Sequence, residues 1–124
     1  MVKEVKRATR VAERVKVELA WLLTRDVKDP RLVGATVSHV EISDDLRNAR
    51  VKIVLLEGGG DPTRRAEVLA ALDGAAGMLR GEVTKRVGLR FAPALRFVYD
   101  DSADKRARID ELLEEVRAER ATKE

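Results

Sequence analysis

An α+β fold in the order αββααβ, with an additional C-terminal helix, follows from three features of this 124-residue chain. Apolar residues recur at helical spacing over residues 3–24 and again over residues 69–87. Period-two alternation marks residues 35–42, 49–56 and 95–99 as strands. The last two strands are separated by a helical segment far longer than a hairpin needs, which predicts a mixed sheet with helices packed on one side.

In the first helix, Ala8, Val11, Ala12, Val15, Leu19, Leu22 and Leu23 form one apolar stripe. At about 100° per residue, Lys3, Arg7, Arg10, Arg14 and Trp21 project from the opposite side. Asp29-Pro30-Arg31-Leu32 ends this region, because proline lacks an amide hydrogen and disfavours helix in the residue before it. The first strand sets Ser38, Val40 and Ile42 against Val37, His39 and Glu41. In the second, Ala49, Val51, Ile53 and Leu55 share one face, Arg50 and Lys52 the other, and residues 43–48 connect the pair. Gly58-Gly59-Gly60 then forms a flexible turn; Asp61 caps the next helix and Pro62 fits its first turn.

Leu69, Leu72, Ala76, Leu79, Val83 and Val87 keep helical spacing across Gly74-Ala75-Ala76-Gly77. Each glycine costs about 1 kcal/mol relative to alanine in a helix interior, so two so close together predict a helix-kink-helix. Two helices joined at a glycine-bracketed corner, between a strand pair and a third strand, is how KH-type modules present backbone to an RNA strand. Ala92-Pro93 ends the helical pattern, and Leu95, Phe97 and Tyr99 alternate. Asp101 or Ser102 caps a final helix whose apolar stripe, Ile109, Leu112, Leu113 and Val116, is short. Residues 1–101 are therefore expected to form the KH-like domain and residues 102–124 a loosely attached helical extension.

The length suits one domain, and no stretch approaches the roughly 20 apolar residues of a membrane span. The basic N-terminus is not followed by an apolar block, so a cytoplasmic protein without a membrane partner is expected. With no cysteine, disulfides, thiolate nucleophiles and Cys-ligated metals are excluded. The net charge of +3 is unevenly spread. Residues 1–31 hold nine Lys/Arg against five Asp/Glu and residues 75–96 five against one, while the remaining segments are acidic. Brought together, these two blocks make a positive surface suited to phosphates.

An enzymatic site is not expected. The one histidine, His39, sits in a strand pattern as a polar strand residue rather than a general base. Asp44-Asp45 lies in a turn, where such side chains bond locally instead of holding magnesium. The glycine triplet lacks the Lys-Ser/Thr continuation of a phosphate-binding loop. No catalytic residue, metal or cofactor is assigned.

Over roughly residues 5–115 the chain resembles the bacterial ribosome-binding factor A family. The resemblance is carried by Arg14-Val15, Lys28-Asp29-Pro30-Arg31-Leu32, Ser43-Asp44-Asp45-Leu46 followed by Ala49 and Val51, Ala75-Ala76-Gly77 followed by Leu79-Arg80, and Leu89-Arg90 followed by Pro93, Leu95, Phe97 and Asp100. It implies a type II KH-like fold in which an Ala-x-Gly kink, here Ala75-Ala76-Gly77, replaces the usual glycine corner; Gly74 makes the segment a formal GxxG as well. Ala94 stands where the family carries Glu, so no carboxylate role transfers to that position. The resemblance further implies a non-catalytic assembly factor that binds the immature small (30S) ribosomal subunit and assists 16S rRNA maturation near its 5′ end. Its implied partners are the free small subunit and 16S rRNA, with indirect coupling to a release-promoting GTPase; association with cold adaptation is implied too, and the chain is expected to act as a monomer. The alternative is a generic KH-like module for single-stranded RNA.

The expected RNA-binding surface combines phosphate contacts from Arg7, Arg10, Arg14, Lys28, Arg31, Arg80, Lys85, Arg86 and Arg90. Gly74, Ala75, Ala76 and Gly77 shape it by letting an RNA strand approach backbone. Arg80 lies close to the apolar stripe, where its stem also covers the core edge.

Overall fold

The computed structural model describes residues 2–123, and burial in it follows the two periodicities of the sequence. The elements are α1 (Val2–Arg25), a 3₁₀ turn (Pro30–Leu32), β1 (Ala35–Ile42), β2 (Asn48–Leu55), α2 (Pro62–Val87), β3 (Ala94–Tyr99) and α3 (Ser102–Lys123). The sheet order is β1-β2-β3, with β1 and β2 antiparallel and β2 and β3 parallel. Val15, Leu19 and Leu22 of α1, Val51 and Ile53 of β2, and Val68, Leu72, Leu79 and Val83 of α2 are fully buried in one core. Both helices thus cover the same sheet face, and Arg50, Lys52, Arg96 and Val98 point to the other.

The expected α+β class holds, with one difference in its helices. The segments on either side of Gly74-Ala75-Ala76-Gly77 form a single continuous helix, so the order before α3 is αββαβ. Burial of Leu72, Leu79 and Val83 outweighs the propensity cost of the glycines, because the apolar spacing stays in phase across them. Asp61 accepts from Thr63 N at 2.9 Å as the N-cap, with Pro62 in the first turn, as the sequence predicts. Gly88, in the left-handed region at φ 78°, ends the helix, its N–H donating to Thr84 O.

Strand β1 departs from strict alternation. Val37 pairs with Ile53 and His39 with Lys52, leaving Ser38 as the extra residue of a bulge. The bulge resets the phase, so Val37 and Val40 both enter the core instead of taking opposite faces. Ser38 Oγ donates to Asp100 Oδ2 at 2.6 Å, linking this edge strand to the end of β3 across the sheet.

The glycine turn is more constrained than its composition predicts. A Cβ on Gly59 would lie 2.5 Å from Tyr99 Oη, and that hydroxyl accepts from Leu55 N at 3.1 Å. Arg65 stacks 4.1 Å from the Tyr99 ring centroid, donates to Gly59 O and pairs with Asp104 of α3. Asp101 O accepts from Lys105 N at 3.1 Å, but the carboxylate that meets the Ser102 amide is Asp100, at 3.0 Å. Beyond this attachment, α3 residues through Thr122 are exposed, including Ile109, Leu112, Leu113 and Val116.

Candidate nucleic-acid interface

Three positions on the outer face of α2 carry no side chain, beside the exposed Met78. Gly74, Gly77 and Gly81 recur at spacings of three and four, all are exposed, and a Cβ added to any of them would meet nothing within 4 Å. Lys85, one turn further on, ends this ridge with an ammonium that has no ion-pair partner among the described residues. Ala75 and Ala76 turn inward and pack on the core. Three exposed helix-interior glycines together cost about 3 kcal/mol relative to alanine, and nothing inside the molecule requires their small size. Gly81 belongs with residues 74–77; its spacing from Gly77 was the readable signal for it.

The expected cations divide by what holds them. Arg7, Arg10 and Arg14 project from one exposed face of α1; Arg14 lies 3.7 Å from Glu18, and the other two have no hydrogen bond or ion pair among the described residues. Lys28 and Arg90 are likewise exposed and without ion pairs there, although Arg90 lies 5.6 Å from the Phe91 ring centroid. Arg31 is engaged locally. Its Nη2 lies 2.8 Å from Asp29 Oδ2, and its amide donates to Asp29 Oδ1 at 2.9 Å. The side-chain hydrogen bond from Arg31 holds the Asp29 carboxyl below its ordinary pKa and raises that of Arg31 in turn. Arg80 donates to Pro93 O at 3.0 Å and Ala92 O at 2.8 Å, fixing the chain where it enters β3.

Arg86 is the most committed of the set. Its guanidinium lies 3.6 Å from Glu18 and Asp26, 3.7 Å from Glu82 and 4.7 Å from the Trp21 ring centroid, joining α2 to α1. Trp21 is also covered by Arg25 at 5.0 Å, so its ring packs under two guanidiniums. Arg50 and Arg96, cross-strand neighbours on the uncovered sheet face, have no ion pairs among the described residues and lie outside the expected set. Glu41 on that face pairs with Lys52 at 3.2 Å and lies 3.9 Å from His39.

The β1–β2 turn is organised by Asp45, which accepts from Ser43 Oγ at 2.6 Å and Arg47 N at 3.1 Å. These bonds, the Ser43 one foremost, hold its pKa below the ordinary carboxylate value. They secure Leu46 in the left-handed region at φ 62°. Among the described residues no group of acidic, histidine or cysteine side chains is arranged to hold a metal ion, and no helix is long and apolar enough to cross a membrane.

Residues 7–113 match the family model described as Ribosome-binding factor A. A ribosome-binding factor A of Sorangium cellulosum is 49% identical over 113 residues, spanning 91% of this chain and 90% of its own. The chain belongs to the ribosome-binding factor A family. The crystal structure of ribosome-binding factor A from Thermus thermophilus superimposes with a TM-score of 0.65 at 26% identity, covering 74% of this chain and 93% of that one. A homology model of the Thermus thermophilus factor, fitted into a cryo-EM map of a 30S complex of that factor, matches with a TM-score of 0.57 at 28% identity, over 73% of this chain and 91% of that one. The matched span runs from Arg7 through the first half of α3, so it takes in the glycine ridge, the α1 arginines and the Asp45 turn.

Proposed function

We propose that this chain is a non-catalytic assembly factor that binds the immature 30S subunit and assists 16S rRNA maturation near its 5′ end. The observation that carries the reading is the ridge of Gly74, Gly77 and Gly81, three costly and internally unexplained glycines on an exposed helix face. A helix surface without side chains lets another backbone approach closely, and Lys85 offers it a phosphate contact. Arg7, Arg10, Arg14, Lys28 and Arg90 supply further phosphate contacts, while Arg31, Arg80 and Arg86 position the elements that present them. Membership of the family and the fitted 30S complex of a relative support a ribosomal target over a generic single-stranded RNA module. In this reading residues 1–101 make the ribosome-binding unit, residues 102–124 are an extension, and the factor works in the cytoplasm as a monomer indirectly coupled to a release-promoting GTPase.

Sedimentation of the tagged chain through a gradient of cell extract tests this. Co-migration with free small subunits, and not with assembled ribosomes, is the expected result. Absence from the subunit fractions alongside strong binding to unrelated single-stranded RNA would replace it with the generic module.

A further inference from the structure

The loop after α2 holds an aromatic ring that the fold leaves in solvent. Phe91 is 59% exposed, and the guanidiniums of Arg47 and Arg90 lie 5.3 and 5.6 Å from its ring centroid. Neither arginine has an ion pair among the described residues. Beside them is a cavity of about 340 Å³, lined by Arg7 from α1, Asp44 and Leu46 from the β1–β2 turn, and Gly88, Arg90 and Phe91 from the loop. That volume lies within the range of small-ligand sites, about 300–1,000 Å³. Two left-handed residues shape the walls, Leu46 at φ 62° and Gly88 at φ 78°. A left-handed leucine is an uncommon backbone state, and here the Asp45 hydrogen bonds maintain it.

The chemistry of this lining is divided. The ring and its flanking guanidiniums form a stacking surface for a flat π-system. Arg7 supplies a cation for a phosphate. Asp44 is an exposed carboxylate with no hydrogen bond or ion pair among the described residues, whereas Asp45 is used by the turn. An ionised carboxylate only accepts hydrogen bonds, so it repels phosphate and selects a base edge rich in donors. Guanine alone among the four RNA bases presents two adjacent donors, N1–H and N2–H, on its Watson–Crick edge; adenine, cytosine and uracil each place an acceptor beside their single donor group.

We propose that this cavity receives one unpaired guanosine of an RNA strand, with the base stacked at Phe91, its Watson–Crick edge on Asp44 and an adjoining phosphate on Arg7. The proposal rests on the reading of the chain as an RNA-binding factor and adds base selectivity to it.

Fluorescence anisotropy on the full chain, with a labelled heptauridine and its counterparts carrying one central guanosine or adenosine, tests the site. The guanosine strand is expected to bind about tenfold more tightly than the other two. Asp44→Asn should abolish that preference, because an amide offers one acceptor and one donor group in place of two acceptors. Phe91→Ala should weaken the guanosine strand about tenfold. Equal binding of all three strands, or a preference that survives Asp44→Asn in a chain with unaltered circular dichroism, overturns the proposal. Small-subunit co-sedimentation of the same variants separates the two readings: persistence of subunit binding without guanosine preference defeats only the pocket, and guanosine preference without subunit binding defeats only the ribosomal assignment.

Discussion

Ser38 Oγ and Asp100 Oδ2 lie 2.6 Å apart, joining the bulge of one edge strand to the end of the other. Asp100 also accepts from Ser102 N at 3.0 Å and from Ser102 Oγ, so one carboxylate fixes both the bulge and the first turn of α3. The Ser102 side-chain bond, then that of Ser38, hold its pKa down to about 2 from an ordinary 3.8. Because the folded value is the lower one, the stabilisation is complete above pH 3.8 and disappears as pH falls toward about 2. Discounted for partial exposure, Asp100→Asn should cost about 1 kcal/mol at neutral pH. Urea unfolding of both proteins across the acid range checks this: the gap in stability should narrow between pH 4 and 2 and be absent below it.

The same contact shows where the sequence stops being readable. Helix and strand positions followed from apolar spacing because the core is built from those residues. The bulge did not, since Ser38 reads as an ordinary strand residue until Asp100, 62 positions away, is seen to bond it. The continuous α2 was obscured for a related reason: local propensity counts the glycines, whereas burial of Leu72 and Leu79 on either side of them decides the backbone. At the candidate interface the charge pattern located the cations but not their partners. Arg10 and Arg86 look alike in sequence; one is unpaired among the described residues and the other sits among Glu18, Asp26 and Glu82. Phe91 gave no periodic signal at all, because it belongs to a loop.

Gly59 and Gly60, adjacent in one turn, should respond differently to the same substitution. A methyl at Gly59 collides with Tyr99 Oη, which Leu55 N and the neighbouring Arg65 help hold in place, while a methyl at Gly60 enters open space. Gly59→Ala is expected to lower stability by about 1–3 kcal/mol, the usual cost of overpacking. Gly60→Ala should be neutral within about 0.5 kcal/mol. Thermal melts of the two variants side by side provide the comparison, and equal melting temperatures would show that the tyrosine yields freely.

The glycine ridge predicts a trade between stability and binding. Gly74→Ala, Gly77→Ala and Gly81→Ala each add a methyl that touches nothing and should stabilise the chain by roughly 0.5–1 kcal/mol. If the glycine positions receive RNA backbone, the triple variant should melt higher and yet co-sediment less with small subunits. Raised stability with undiminished subunit binding would remove the ridge from the interface.

Charge reversal distinguishes cations that meet RNA from those that hold the fold. Arg10 and Lys85 have no carboxylate partners among the described residues, so Arg10→Glu with Lys85→Glu should leave the melting temperature unchanged and weaken small-subunit binding. If each contacts one phosphate, the log–log dependence of affinity on salt should flatten by about 1.4 to 1.8. Arg86→Glu should behave differently, because it sets a fourth carboxylate beside Glu18, Asp26 and Glu82 and removes one of the two cations over Trp21. A loss of about 1 kcal/mol in stability is expected there, since the pairs are partly exposed. Its effect on binding should be recovered in Arg86→Met, which restores packing on Trp21 without the charge. A salt dependence unchanged in the Arg10 and Lys85 double variant would place the phosphate contacts elsewhere, with Arg50 and Arg96 on the uncovered sheet face as the next pair to reverse.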